Sequence, residues 1–338
     1  MSCMGNRPRL FISHGPKKKI LPDPEPNLGN LSPDVQSDTL PSFARPESKT
    51  EDCLKVGKYV LFRESEKSDA YLAIDTTTQE ELTCKVFPLN HYRDSLSPYW
   101  QVDGHDHIAA AQEIILGETK AYIFFPHSFG DLHSYVRQKK RLSEAEARGL
   151  FRQIVAAITH CHDNGVILRD LKLRKFVFQD AERTTLQLEG LEDAVVLSDD
   201  DLDVLKDKHG CPAYVSPEIL SATESGYSGK SADVWSLGVM LYTMLVGRYP
   251  FHDSQPLALF GKIRRGHFHI PDSLSPKAQC LIRCLLRRDP NERLSAGEIL
   301  SHPWFKSVPS LRRPANSQHS KFQVVPDVAL PTPGPFDW

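Results

Sequence analysis

Three charged residues, Lys85, Asp170 and Lys172, have the types and the sequence surroundings needed for phosphoryl transfer. Asp170 and Lys172 lie in the segment 168–175, LRDLKLRK, directly after a long amphipathic stretch. A positioned carboxylate such as that of Asp170 could act as a general base, which contributes about 10²- to 10⁴-fold in rate. Phosphoryl transfer also needs positioned phosphates and metal ions that neutralise charge. Other residues must therefore complete such a site.

The elements that must position these residues change character along the chain. Three short β-rich runs, Tyr59–Phe62, Ala70–Asp75 and Glu81–Phe87, predict an antiparallel sheet, and Lys85 lies on the third. From Ser143 the pattern is helical: Ser143 is a predicted N-cap, and the amphipathic helix after it runs to Asn164-Gly165. Further helices are predicted at Asp233–Val246, Ser275–Arg287 and Ser295–Leu300.

These elements predict an α+β fold with two lobes, in a chain of 338 residues that allows roughly two domains or lobes plus tails. The small β-rich N-lobe is expected at about residues 54–127 and the larger helical C-lobe at about 128–308. Residues 1–53 and 309–338 are rich in Pro and Ser without apolar periodicity. Such segments cannot offset the entropy cost of folding, so the first is predicted to be disordered and the second to be a flexible tail.

Five segments occur in the order found in protein kinases, which predicts a bilobal protein-kinase-like fold for about residues 55–308. Segment 168–175 resembles the catalytic loop H-R-D-L-x-x-x-N, and Lys85 occupies the place of the kinase strand lysine. Segment 216–218, Ser-Pro-Glu, takes the place of A-P-E. The fourth and fifth segments are residues 233–238, DVWSLG, and 289–293, DPNER. The resemblance implies structural roles for Glu218, Asp233 and Arg293, with Glu218 and Arg293 forming a buried pair.

The phosphate-binding loop of kinases has no counterpart of suitable chemistry. Residues 63–69, RESEKSD, contain no glycine and three acids, Glu64, Glu66 and Asp69. Glycine lets the backbone approach a phosphate, whereas carboxylates repel it. An ordinary polar hairpin is the favoured interpretation.

Both magnesium ligands of kinases are also absent. Lys175 stands in place of the catalytic-loop asparagine, which puts a cation where a divalent cation should bind. The D-F-G position reads Gly190-Leu191-Glu192, and Glu192 lies two residues too late to replace the aspartate. We expect no metal site here, and ATP and magnesium binding to be absent or weak.

The helix that supplies the carboxylate partner of the kinase lysine is also missing from the sequence pattern. Between Asn90 and Asp103 the only acid is Asp94. The neighbouring Ser95, Ser97 and Pro98 disfavour a regular helix. Lys85 is therefore predicted to lack its usual ion pair.

Lys85, Asp170 and Lys172 are thus interpreted as vestigial. The alternative is a weak Ser/Thr kinase, or an ATP-binding protein, that uses Lys85 and Asp170.

Three stretches together resemble the Tribbles pseudokinase family: residues 167–178 (ILRDLKLRKFVF), 190–194 (GLEDA) and 207–214 (DKHGCPAY). The resemblance implies an adaptor whose pseudokinase domain binds substrates such as C/EBP-type transcription factors. It also implies that the adaptor is present in the nucleus and the cytoplasm. It also implies a tail motif for a constitutive-photomorphogenic-type ubiquitin ligase, made of Gln323, Val324, Val325, Pro326 and Asp327. Mitogen-activated protein kinase kinases are implied as partners of the segment His302–Phe305, although packing into the core is favoured for that segment.

Charge and cysteine content exclude several other classes. The net charge is −2, which provides no field that would attract nucleic acid or an anionic membrane. The longest apolar run, Val234–Val246, is too short to cross a bilayer. The seven cysteines are scattered, as in reduced cytosolic or nuclear proteins. Cys280 and Cys284 have a spacing that could hold a metal, but two buried core thiols are favoured.

Overall fold

The computed structural model describes residues 11–12, 53–63, 70–198 and 203–306. The described residues of the N-lobe form a seven-stranded sheet. Its strands are β1 (Phe11–Ile12), β2 (Cys53–Val56), β3 (Tyr59–Arg63), β4 (Ala70–Asp75), β5 (Glu81–Pro88), β6 (Glu113–Leu116) and β7 (Lys120–Pro126). They lie in the order β1-β6-β7-β5-β4-β3-β2, and neighbouring strands are antiparallel except β1 and β6, which are parallel.

Burial alternates along β3 and the first half of β5, whereas β7 is buried on both faces over most of its length. Tyr59 and Leu61 of β3 and Leu82 and Cys84 of β5 are buried on one face of the sheet. The three predicted strands are confirmed to within one residue. Strand β1 was not expected, because residues 1–53 were predicted to be disordered; it pairs its backbone with the edge strand β6.

The C-lobe is helical, and one helix of the N-lobe precedes it among the residues that the structure describes. The helices are α1 (Tyr92–Gln101), α2 (Leu132–Lys139), α3 (Glu144–Asp163), α4 (Pro217–Ser221), α5 (Gly229–Val246), α6 (Pro256–Arg265), α7 (Pro276–Leu285) and α8 (Ala296–Ile299). Short paired strands connect them: β8 (Val166–Ile167), β9 (Phe176–Phe178), β10 (Leu186–Leu188), β11 (Val195–Val196), β12 (Val204–Leu205) and β13 (Tyr227–Ser228). The predicted helices correspond to α3, α5, α7 and α8, and the Ser143 hydroxyl accepts a hydrogen bond from the Glu146 N–H at 3.2 Å, as a helix cap. The mixed α+β, protein-kinase-like architecture is therefore as predicted.

The prediction that residues 90–103 disfavour a helix is wrong. Helix α1 forms there and contains Pro98 in its interior. Leu96 and Tyr99 are buried in the larger core, and the Val102 N–H donates to the Pro98 carbonyl at 3.3 Å. Burial of the apolar side thus outweighs the cost of a proline and two serines.

Helix α5 is the centre of the C-lobe and is buried on nearly all sides. It packs closely against the end of α7, because a Cβ at Gly238 would lie 2.8 Å from Leu286. The helix ends at Gly247, whose φ of 80° is left-handed and whose missing Cβ would collide with the Lys140 carbonyl. These close approaches set the position of α5 and of the residues it carries.

Predictions for the remaining parts of residues 1–53, for residues 64–69 and for residues 309–338 fall outside the described residues. Among the described helices, none has the length and apolar character that a membrane span requires.

Candidate functional site

Lys85 is held by a carboxylate from the C-lobe. Its Nζ lies 2.7 Å from Oε1 of Glu192, with the two side chains 20% and 24% exposed. Burial raises the pKa of Glu192, but the ammonium of Lys85 and the hydrogen bonds that the carboxylate accepts together lower it by more, so the pKa is lowered overall. The sequence pattern predicts that Lys85 lacks its usual ion pair; in the structure Lys85 is paired, with Glu192 of the C-lobe.

Tyr99 of α1 fixes the position of Glu192. The Tyr99 hydroxyl donates to Glu192 Oε1 at 3.0 Å and accepts from the N–H groups of Gly190 and Leu191 at 3.0 and 3.1 Å. Gly190 has a φ of 74°, so the chain reverses there into the 3-10 turn Leu191–Asp193. This turn directs Glu192 back towards Lys85 on β5. The kinase motifs in the sequence do not indicate this contact.

Lys175 is bound to the segment that would hold a metal in a kinase. Its ammonium donates to the Gly190 carbonyl and lies 3.2 Å from Oδ2 of Asp193. The side chain is only 10% exposed. A fixed positive charge therefore contacts both backbone and carboxylate where catalysis would need a divalent cation.

Glu189 is a further acid of this region that the sequence pattern did not identify. It is half-buried, and its Oε1 has no hydrogen-bond donor within the described part of the chain. Burial is the main reason that the pKa of Glu189 is raised to about 7; Lys85 lowers it and Glu192 raises it. We refer to Lys85, Tyr99, Lys175, Glu189 and Glu192 together as the remnant site.

Asp170 and Lys172 form an ion pair with each other, Nζ to Oδ2 2.5 Å. The loop that carries them is tied to α5 through Asp233. This buried carboxylate accepts from the N–H groups of Leu168 and Arg169 at 2.8 and 3.1 Å and contacts His162 Nε2 at 3.0 Å. The loop is therefore positioned by structural contacts although its catalytic partners are missing.

The predicted pair of Glu218 and Arg293 forms as two parallel hydrogen bonds of 2.6 and 2.7 Å. Arg293 also donates to the carbonyls of Ser231 and Arg287, at 2.8 and 2.9 Å, and its guanidinium lies over the Trp235 ring. The Arg293 side chain is 1% exposed. Such a bidentate, enclosed pair joins α4 to the chain before α8.

The segment His302–Phe305 packs into the core through Trp304 and Phe305, in line with the favoured interpretation, while His302 is half-buried and Pro303 is exposed. Trp304 is fully buried, and its indole N–H donates to Glu144 Oε2 at 3.1 Å. Cys280, in contrast, is exposed and Cys284 is only half-buried, so the prediction of two buried core thiols is wrong. The buried residues of α7 are instead Ala278, Leu281, Ile282 and Leu285.

The structure thus brings Lys85, Lys175, Gly190 and Glu192 together and separates them from the Glu218–Arg293 pair. Sequence reasoning missed Tyr99 and Glu189. Their signal was weak: a tyrosine in a segment with helix-disfavouring neighbours, and an acid directly before the D-F-G position. Glu64 and Glu66, and the tail residues 323–327, lie outside the described residues.

Comparison with known proteins agrees with this geometry. The sequence model of the protein kinase domain matches residues 64–305. The chain is 55% identical to Tribbles homolog 2 of Canis lupus familiaris over 308 residues, which are 90% of this chain and 86% of that protein. It is 61% identical to human Tribbles homolog 1 over 254 residues, 75% of this chain and 68% of that protein. It is 51% identical to mouse Tribbles homolog 3 over 307 residues, 90% and 84% of the two chains. The fold is that of a protein kinase, and the kinase lysine is retained as Lys85, but its carboxylate partner, the metal-ligand positions and the phosphate loop differ. The chain belongs to the Tribbles pseudokinase family.

Proposed function

We propose that this protein is a non-catalytic scaffold that binds substrates and recruits a ubiquitin ligase to them. The proposal rests on one observation: the two lysine side chains of the remnant site are paired with other groups of the protein itself. Lys85 is bound to Glu192, and Lys175 contacts Gly190 and Asp193 where a kinase binds magnesium. Neither group is free to neutralise a nucleotide phosphate, while the Glu218–Arg293 pair and the contacts of Asp233 preserve the fold.

A cavity of about 860 Å³ on the C-lobe supports a peptide-binding role. Its lining contains four aromatic residues and four cationic ones, and no Asp or Glu. One of the cations, Lys262, is paired with Asp253 at 3.0 Å. The cationic and aromatic lining residues are Arg137, Lys140, Arg248, Lys262, Tyr242, Tyr249, Phe251 and Phe268.

Positive charge beside aromatic rings favours an acidic peptide with apolar side chains. We propose that substrates such as C/EBP-type transcription factors bind there. Arg248→Glu should weaken capture of such a substrate more than tenfold, whereas Lys55→Glu, an exposed charge reversal in the N-lobe, should not. Equal binding by both variants would place the substrate elsewhere.

Ligase recruitment is proposed for the tail, on the basis of the motif at residues 323–327. An extended peptide can present two side chains to a shallow pocket. We also propose mitogen-activated protein kinase kinases as partners and a distribution between nucleus and cytoplasm, both as implied by the family.

The tail proposal is tested with two double variants of matched composition. Val325→Ala with Pro326→Ala should abolish ligase capture by the full-length protein and leave substrate capture unchanged. Val328→Ala with Pro331→Ala removes the same residue types outside the motif and should bind the ligase normally. Ligase capture that survives the first change, or that both changes abolish, would contradict the assignment of the motif.

The competing function, a weak Ser/Thr kinase, rests on the retention of Asp170. A radiolabelled ATP assay compares the natural chain with Asp170→Asn. We expect no transfer above background in either protein. Reproducible transfer that Asp170→Asn abolishes would replace the scaffold proposal with an enzymatic one.

A further inference from the structure

Two cysteines of α7 and a histidine from the last described turn, residues 301–306, come together at the surface of the C-lobe. One ligand atom each from Cys280, Cys284 and His302 lies within 4.8 Å of the other two. Cys280 is exposed, and Cys284 and His302 are half-buried. The cluster is therefore open to solvent on one side and supported by protein on the other.

The local fold holds these three side chains in place. Residues four apart on a helix share a face, so Cys280 and Cys284 point in the same direction from α7. Helix α7 is fixed by the Ser275 cap, whose hydroxyl accepts from the Ala278 N–H at 3.2 Å. Trp304, two residues after His302, is anchored in the core by the hydrogen bond of its indole.

Two sulfurs and an imidazole nitrogen form a ligand set that suits zinc. Zn–S distances of about 2.3 Å and Zn–N distances of about 2.0 Å place the ligand atoms of a tetrahedral site about 3.5 to 3.8 Å apart. The observed spacing of up to 4.8 Å must therefore shorten by about 1 Å, judged from that geometry.

We propose that Cys280, Cys284 and His302 bind a zinc ion, with the fourth coordination position open to water or to a side chain of a partner protein. Sites with three protein ligands characteristically keep such an open position. The ion would link α7 to the turn after α8, two segments that are distant from the remnant site in sequence. This role is independent of the proposed scaffold function.

Two features of the site limit its affinity. His302 Nδ1 accepts a hydrogen bond from the Trp304 N–H at 3.2 Å, so neutral His302 carries its proton on Nε2. Metal binding through either ring nitrogen breaks this bond, because the ring then has no lone pair left for the Trp304 N–H. Burial raises the pKa of the Cys284 thiol, so the metal must displace a proton from that sulfur. We therefore expect weaker binding than at a zinc site with four protein ligands.

The test is a Co²⁺ titration of the full-length protein without a polyhistidine tag. Cobalt bound to thiolates gives charge-transfer absorption, so one equivalent should produce such bands, and Zn²⁺ should abolish them. Cys280→Ser and Cys284→Ser should lose the bands. His302→Asn should weaken binding more than tenfold while its side-chain oxygen still accepts from the Trp304 N–H.

Cys53→Ser is the matched control, since Cys53 is also exposed but lies on β2 in the N-lobe. It should bind Co²⁺ as the natural chain does. Zinc should also raise the melting temperature of the natural chain and not that of Cys284→Ser. The proposal is overturned by an absence of charge-transfer bands, by bands that persist in the Cys284 variant, or by full-strength binding in His302→Asn.

Discussion

Replacing Glu189 by glutamine should stabilise the protein at alkaline pH and leave it unchanged in acid. The raised pKa of Glu189, about 7 in the folded chain against an ordinary value of 4.5, means that the folded state holds this proton more tightly than the unfolded state. The free energy of unfolding therefore falls as the pH rises from 4.5 to 7. Above pH 7 the folded chain carries a half-buried carboxylate whose Oε1 accepts no hydrogen bond from the described residues. The loss in the free energy of unfolding has then reached its full value.

The size of the effect follows from the same difference. Each pH unit between the two pKa values corresponds to about 1.4 kcal/mol, so the upper limit is about 3.5 kcal/mol. Glu189 is half-buried, and solvent screening reduces this to about 2 kcal/mol. For a domain of this size the melting temperature should rise by about 4 to 8 °C at pH 8.

Urea denaturation at pH 4, 5, 6, 7 and 8 measures the difference in the free energy of unfolding between Glu189→Gln and the natural chain. The difference should be near zero at pH 4, reach about a quarter of its full value at pH 5 and be almost complete by pH 8. Glu182→Gln is the control, because Glu182 is an exposed glutamate of the same segment. A difference that does not depend on pH, or a loss of stability in Glu189→Gln at pH 8, would refute the raised pKa assigned to Glu189.

Three further changes test other parts of the structure. Glu218→Ala should cost about 3 to 5 kcal/mol because it leaves the Arg293 guanidinium buried without its partner, and an unchanged urea midpoint would contradict that. Tyr99→Phe leaves two backbone N–H groups without their acceptor and should cost about 1 to 3 kcal/mol, seen as a lower melting temperature. Lys175→Asn combined with Gly190→Asp should not produce a working kinase, since Lys85 remains bound to the protein itself; robust peptide phosphorylation would show that the two metal ligands were the only defect.

The sequence was sufficient to predict most of the C-lobe because its helices are marked locally. Ser143 has both a capping side chain and an apolar periodicity after it, and the helix begins and ends where these signals lie. The Glu218–Arg293 pair was predicted from kinase-like motifs 75 residues apart, and it forms as expected. Local signals and motif order together therefore fixed the architecture.

The remnant site could not be predicted in the same way, because its contacts join distant segments. The Lys85–Glu192 pair spans 107 residues and depends on a left-handed Gly190 and on the hydroxyl of Tyr99. Helix α1, which carries Tyr99, forms because Leu96 and Tyr99 are buried, whereas local propensity argued against it. Tertiary packing decides such positions, and no periodicity in the sequence records it.

A chemical probe directed at Lys85 must compete with Glu192, which already forms an ion pair with it. Compounds developed against active kinases contact a lysine whose partner is a glutamate on the adjacent helix, whereas here Glu192 from the turn after Gly190 lies 2.7 Å from Lys85 Nζ. A compound that reaches this ammonium competes with a carboxylate held at high effective concentration by its own chain. Probes with a carboxylate or phosphate of their own, placed to take over both Lys85 and the Tyr99 hydroxyl, should therefore bind better than neutral adenine mimics. Such a probe would also release Glu192 and the turn that carries it, so it would change the conformation of the protein rather than simply fill a space.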